Sequence, residues 1–280
     1  MKKIRLSLFL FAALALPLSA ENIHLLTLGL RGGEITVLQQ SAQNLNNQLG
    51  GVGALDLGYI WYAPVSKADL GIRTGLLLGY GASAIGGGFS QQFTNTDYLG
   101  NQMDYTTSAQ LYARQQMVSA EVPLMMALRV KGFTFNVGLS LQTVLWQHTR
   151  QHLYSPKIDA FYPAYNVHVI DELITGQLSA DRQTDGYAAG LPTVGLGVCT
   201  EIGYDFALPK GWLGLQAFFS CSVWNNFHPS DNVVIAVAPV ANPVQPVPEV
   251  QVSNALLSLC SSVHPLFFGL RLYYAFEWRR

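Results

Sequence analysis

Apolar residues recur at every second position over stretches much longer than an ordinary strand, and this alternation restricts the chain more than any other feature. Residues 133–145 show it most clearly: Phe133, Phe135, Val137, Leu139, Leu141 and Leu145 fall on one side, Thr134, Asn136, Gly138, Ser140 and Gln142 on the other. Successive side chains of a strand point to opposite faces, so such a stretch is a ribbon with one hydrocarbon face. The pattern returns at 193–206, where Val194, Leu196, Val198, Ile202, Tyr204 and Phe206 oppose a face that holds Gly195, Gly197, Cys199, Glu201, Gly203 and Asp205. It returns once more near the end, with Leu266, Phe268, Leu270, Leu272, Tyr274, Phe276 and Trp278 opposite Gly269, Arg271, Tyr273, Ala275 and Glu277. Each alternation exceeds the ~9–11 residues that a tilted membrane strand requires.

Composition narrows the choice. The 280 residues are 50% hydrophobic and 12% charged, against roughly 25% charged in an ordinary soluble chain, and the mean hydropathy is +0.23. Outside the first twenty residues no uncharged apolar run approaches the ~18–20 residues of a membrane-spanning helix, which excludes a helical bundle. A net charge of −1 speaks against a nucleic-acid binder. An aromatic content of 11%, with 26 glycines, speaks against disorder. At the start, Lys2, Lys3 and Arg5 precede an apolar stretch at 6–16 and Pro17-Leu18-Ser19-Ala20, which reads as a signal peptide over 1–20 cleaved before Glu21. The domain that follows is 21–280.

The period-two template predicts eight strands, at 25–37, 53–63, 70–82, 113–129, 132–146, 190–207, 211–224 and 263–278. The connections between them alternate in length: 38–52, 83–112, 147–189 and 225–262 are long, and 64–69, 130–131 and 208–210 are short. An even strand number with this asymmetry predicts an eight-stranded antiparallel transmembrane up-and-down β-barrel, with short periplasmic turns and long extracellular loops. Both chain ends then lie on the periplasmic side, beside Lys67, Lys131, Lys210, Arg279 and Arg280, whose plain role is to solvate turns. Pro239, Pro243, Pro246 and Pro248 place 238–248 in a loop.

The charges decide between a membrane barrel and a secreted lipocalin-like cup. Arg31, Asp56, Arg73, Glu121, Arg129, Glu201, Asp205, Arg271 and Glu277 all fall on the less apolar, glycine-rich face of their segments. A soluble cup would turn that face to water. A barrel in hydrocarbon turns it inward, because its exterior must be apolar and its backbone groups must all be satisfied. The expected interior is a structural polar network of Arg31, Asp56, Arg73, Glu121, Glu201, Asp205, Arg271 and Glu277. Arg31, Asp56, Glu121, Glu201 and Arg271 lie about six residues from the periplasmic ends of their strands and should meet in one layer that plugs the lumen.

No catalytic, cofactor-binding or metal site is expected. Cys199 faces inward and Cys221 outward, so they cannot pair, and Cys260 has no evident mate. His148 and His152 lack a Cys or carboxylate cluster that would complete a zinc site. His264 near Ser262 reproduces no acylhydrolase spacing.

Val118-Ser-Ala-Glu121-Val-Pro123-Leu-Met-Met126, Phe133-Thr-Phe-Asn-Val-Gly138-Leu-Ser-Leu, Gly195-Leu-Gly197-Val-Cys-Thr-Glu-Ile-Gly203-Tyr204 and Gly269-Leu-Arg-Leu-Tyr-Tyr-Ala-Phe276 together resemble the outer membrane β-barrel families of Bacteroidota, the PorT-like group in particular. The chain is more loosely similar to the OmpA-type eight-stranded barrel. Gly269, Leu272 and Tyr274 fit the signal read by the barrel-assembly machinery; Phe267 and the trailing Trp278-Arg279-Arg280 depart from it. The resemblance implies folding by that machinery and supplies no catalytic residues. Because the chain stops with its last strand, no peptidoglycan-binding domain is expected.

The expectation is therefore an exported, non-enzymatic protein of the bacterial outer membrane. It would meet membrane lipid and lipopolysaccharide and act as an envelope scaffold or through its extracellular loops, in adhesion, complex assembly or partner binding. The alternatives are an outer-leaflet lipid-modifying enzyme and a narrow channel or small porin. Candidate loop contacts are Tyr98 and Tyr105, beside Phe93, and Phe161, Tyr162 and Tyr165, because aromatic side chains give contact area at low entropic cost. The same loops could instead pack on themselves over the barrel mouth. The run Val233-Val-Ile-Ala-Val-Ala-Pro239 is a further candidate for lipopolysaccharide or partner contact, or for extending neighbouring strands.

Overall fold

The computed structural model describes residues 22–41, 43–96, 99–169, 182–186, 193–237 and 250–279. The expected signal peptide, Tyr98, the four prolines of 238–248 and Arg280 lie outside the described residues. In chain order the strands are β1 (Ile23–Ser41), β2 (Asn44–Gln48), β3 (Gly50–Val65), β4 (Ala68–Thr96), β5 (Gln102–Val130), β6 (Phe133–Tyr162), β7 (Val167–Val169), β8 (Arg182–Gly186), β9 (Val194–Leu208), β10 (Gly211–Asn225), β11 (Ile235–Val237), β12 (Val250–Val252) and β13 (Cys260–Arg279), with a short helix α1 (Ala255–Leu259) before the last.

Eight of these strands form a closed antiparallel ring in the order β1, β3, β4, β5, β6, β9, β10, β13 and back to β1. Three of its hairpins turn on two residues, Ser66-Lys67, Lys131-Gly132 and Pro209-Lys210. Ser66, Lys131 and Gly132 take φ values of 60°, 51° and 88°, the geometry with which a two-residue turn follows the twist of its strands. Ile23 pairs with Arg279, so the start of β1 and the end of β13 lie at this same turn end.

The far end differs from expectation. Residues 83–112 were expected to loop, yet the β4–β5 ladder continues to Thr96↔Gln102 and the β5–β6 ladder to Asp104↔Phe161. At ~3.3 Å per residue the longest strands run roughly 90 Å, so β4, β5 and β6 rise well beyond the ring as a three-stranded sheet. Within 147–189, β6 continues to Tyr162, and β7 and β8 pair with it. Within 38–52, β2 pairs with β4. The alternation does persist here: Met103, Tyr105, Ala109, Leu111, Ala113 and Met117 are all buried and two or four residues apart. Small and polar residues break the hydrocarbon run, because this face packs against other parts of the same chain.

Burial divides the ring strands by parity. The interior holds Arg31, Asp56, Arg73, Glu201 and Arg271, all at most 8% exposed, whereas Leu26, Leu124, Met126 and Leu139 on the outside are 59% exposed or more. The interior also brings backbones close together. Gly33 and Gly269 face each other across the closing β1–β13 pair, and a Cβ on either would run into the carbonyl of the partner strand, at Phe268 or Gly32. Gly269→Val is therefore expected to cost about 1–3 kcal/mol of stability. Gly51→Val, which points into open space, should stay within about 0.5 kcal/mol. Equilibrium urea unfolding of both variants against the parent checks the pair.

Candidate functional site

A charge buried without a partner costs several kcal/mol, so ionised groups inside a ring must find one another. They do so in a compact lattice. Asp56 Oδ2 receives all three arginines: Arg31 Nε at 3.1 Å, Arg73 Nη2 at 2.9 Å and Arg271 Nε at 2.5 Å. Glu201 Oε1 binds Arg31 Nη2 at 2.5 Å and Arg73 Nη1 at 2.7 Å, and its Oε2 lies 3.6 Å from Arg271 Nη1. Arg31 and Arg271 stand directly opposite each other in register, an arrangement that repels unless carboxylates intervene, as these two do.

Neutral groups complete the lattice. Asn136 donates to Glu201 Oε2 at 2.9 Å, Arg271 donates to Gln216 Oε1 at 2.8 Å, and the thioether of Met125 lies 3.2 Å from Arg73 Nη1. Arg31, Asp56, Arg73, Met125, Asn136, Glu201, Gln216 and Arg271 come one from each of the eight ring strands. The lattice thus ties every strand to its centre.

Toward the turn end a second layer fills the interior. Tyr273 donates a short hydrogen bond to Asp205, and Gln216 donates to Thr134 at 2.9 Å. Arg129 pairs with Asp69 at 2.9 Å and lies 4.7 Å and 4.6 Å from the ring centroids of Tyr62 and Trp212. Trp212 donates in turn to Glu277 at 2.8 Å. Toward the far end, Ser220 donates to Glu121 at 3.0 Å beside a cavity of about 30 Å³. That volume holds one or two waters and little else.

Of the eight residues expected inside, Arg31, Asp56, Arg73, Glu201 and Arg271 meet in the lattice, while Asp205 and Glu277 belong to the layer nearer the turns. Glu121 was expected among the ion pairs and is not there. On β5 the lattice level passes through Met125, four residues closer to the turn, because strands tilted around a ring do not reach one level at equal distances from their ends. Arg73, left out of the expected layer, is one of its three cations. Asn136, Gln216, Thr134, Tyr273 and Met125 were not singled out from sequence; their inward parity was the available signal.

The far end is closed by a cap. The apolar segment Val234-Ile235, the small β11–β12 sheet and α1 pack into one hydrophobic cluster with Ile35, Val37 and Met117 of the ring and Ile85, Phe89 and Leu111 of the extension. Amide side chains clamp its backbone. Gln151 donates to the Ser253 carbonyl at 2.6 Å and accepts from the Ala255 N–H at 2.9 Å; Gln91 accepts from the Val234 N–H at 2.7 Å. The β13 strand that α1 leads into lies opposite β5 in the ring, so the cap crosses the opening. Of the run 233–239, expected either to touch lipopolysaccharide or a partner or to extend neighbouring strands, Val234, Ile235 and Val237 are buried and Ile235–Val237 pairs with β12, while 238 and 239 lie outside the described residues.

The loop aromatics divide likewise. Tyr105 is buried and stacks on Phe93 at 5.1 Å, so it is no free contact. Phe161 packs at 4.8 Å on His168, and Tyr162 at 6.0 Å on Tyr165, which is exposed. Cys199, Cys221 and Cys260 are unpaired. His148 and His152 both stand on β6, about 13 Å apart by strand rise, and each stacks on an aromatic ring. His264 lies 3.2 Å from Asn225. Among the described residues no group of three or more His, Cys, Asp or Glu could hold a metal ion.

No known family model matches the sequence, and no curated protein is significantly similar to it.

Asp56→Asn leaves three guanidiniums to one carboxylate and is expected to cost about 3–5 kcal/mol, read as a lower urea midpoint in the same assay. The cap is checked through Cys260, which is buried, donates to Gln39 and has its thiol pushed up to about 12 by burial. With Cys199 and Cys221 replaced by Ser, maleimide labelling at pH 8 should be on the order of a hundredfold slower than in the unfolded chain, because the thiolate is the nucleophile. Gln151→Ala should speed it by loosening the clamp.

Proposed function

We propose that the chain is a transmembrane β-barrel of a bacterial outer membrane, non-enzymatic and sealed, that serves as a rigid envelope scaffold and displays its sheet extension to the outside. One observation carries this reading. On all eight ring strands the outward side chains between the turn end and Glu34 are predominantly Leu, Val, Ile, Phe, Tyr and Met, interrupted by small or uncharged residues such as Thr74 and Thr200, while the guanidiniums and carboxylates of the same strands point inward. Water would favour the reverse distribution. Hydrocarbon favours this one.

Aromatic side chains flank the apolar band, as they do at the two interfaces of membrane barrels. At the turn end are Tyr59, Phe133, Tyr204, Phe206 and Phe276; at the other border are Tyr80, Trp146 and Trp224. From the rung of Phe206 and Leu213 to Trp224 is about 36 Å along the strand, or about 25 Å across a bilayer at a 45° tilt. That height agrees with the usual apolar band. The turn end, with Lys67, Lys131 and Lys210, is assigned to the periplasm, and the extension and cap to the cell exterior. Membrane lipid and lipopolysaccharide surround the band, the barrel-assembly machinery inserts the chain, and any envelope or extracellular partner meets the extension.

The buried lattice and the apolar cap both oppose ion passage, which supports a scaffold over a channel. Two measurements test the reading. The protein should fractionate with membranes and need detergent to dissolve; a product that dissolves without it overturns the assignment. Reconstituted in planar bilayers it should show no steady open conductance, and a large one would refute the seal.

A further inference from the structure

On the outward side of the extension, just beyond the apolar band, β5 and β6 set Arg114 and Arg150 directly opposite each other, both exposed. Like charges so placed repel. Rings border the pair along the strands: Trp146 stacks on His148 at 6.1 Å on the side of the band, and His152 on Tyr154 at 4.2 Å on the other.

Beside Arg114 the surface drops. Its neighbours on β4 are Ala84, Gly86 and Gly88, in register with Arg114, Tyr112 and Gln110, and the exposed Asn44, Asn46 and Gln48 of β2 form the opposite wall. This trough leads away from the band into an open groove of about 650 Å³, lined by Asn44, Ser90, Ser108, Gln110 and Lys157 among others. Along the strand direction the surface is therefore apolar at Val118 and Trp146, then cationic, then rich in amide, hydroxyl and ammonium groups.

An amphiphile with acyl chains, a phosphate and a saccharide has the same three zones in the same order. We propose that this surface binds a phosphorylated glycolipid of the outer leaflet. Its acyl chains lie against Trp146 and Val118, its phosphate is held by Arg114 and Arg150 through charge-assisted hydrogen bonds, and its sugars run along the trough. The inference rests on the membrane reading and adds a specific lipid site to it.

The test uses the full folded protein in neutral detergent micelles, with bound lipid read by native mass spectrometry. The probes are rough lipopolysaccharide, the same lipid dephosphorylated, phosphatidylglycerol and inorganic phosphate. Lipopolysaccharide should bind at least tenfold more tightly than the other three. Arg114→Gln combined with Arg150→Gln should remove at least tenfold of that affinity, and Gly88→Asn, which stands a side chain in the trough, should weaken it several-fold without changing phosphatidylglycerol binding. Equal binding of phosphatidylglycerol, inorganic phosphate occupying the site as tightly as the glycolipid, or unaltered affinity in both variants overturns the site. A protein that needs detergent yet ignores the glycolipid refutes the site alone, whereas one that dissolves without detergent removes the membrane reading as well.

Discussion

Two carboxylates shared among three guanidiniums hold the middle of the ring, and the rest of the architecture depends on that arrangement. When the outside of a closed sheet is given over to apolar side chains, the charged side chains of the same strands are gathered in the interior. There each must be paired, because an isolated ion in a dry interior is far costlier than any packing defect. Asp56 and Glu201 meet this demand by each facing Arg31, Arg73 and Arg271. Hydrogen bonds from and to Asn136 and Gln216 take up further polar atoms.

The two ends of the interior are closed by opposite chemistry. Near the turns the filling is polar and aromatic, with Arg129 between Tyr62 and Trp212 and Tyr273 on Asp205. At the far end it is aliphatic, where α1 and the segment before β11 meet Ile35, Val37 and Met117. A polar centre fixes orientation, since each hydrogen bond accepts one geometry; an apolar lid gives area with little directional demand. Polar side chains of the ring and extension tie the cap backbone, the amides of Gln151, Gln91 and Asn95 and the hydroxyl of Ser41.

Much of the ring could be read from residue order, and the reasons are local. At Phe133 to Leu145 and at Leu266 to Phe276, strict alternation and the absence of charge from one face left a single choice of period and of inward side. The short connections expected at 130–131 and 208–210 fall within a residue of the turns at Lys131-Gly132 and Pro209-Lys210. The extension was hidden because Met103, Tyr105, Thr107 and Ala109 alternate against Asp104, Thr106 and Ser108, a contrast too weak to separate strand from loop. The lattice was half legible: inward parity named Arg31, Asp56, Glu201 and Arg271, but strand tilt, which no single segment encodes, decided that Arg73 joins them and Glu121 does not. The cap was not legible, since Val234 and Ile235 acquire their meaning from Leu111 and Phe89, more than a hundred residues earlier.

The closing pair of the ring joins the first strand to the last, Ile23 to Arg279, whereas β4, β5 and β6 are joined by short local connections. Loop-closure entropy grows with the length of chain to be gathered, so the hairpins are the cheap steps of assembly and the seam is the dear one. The cap is continuous with β13, and the β4–β6 wall it docks on can form from local hairpins. Zipping the seam and seating the cap therefore belong to one late, cooperative event, in which the interior ions lose their last water as the cylinder shuts.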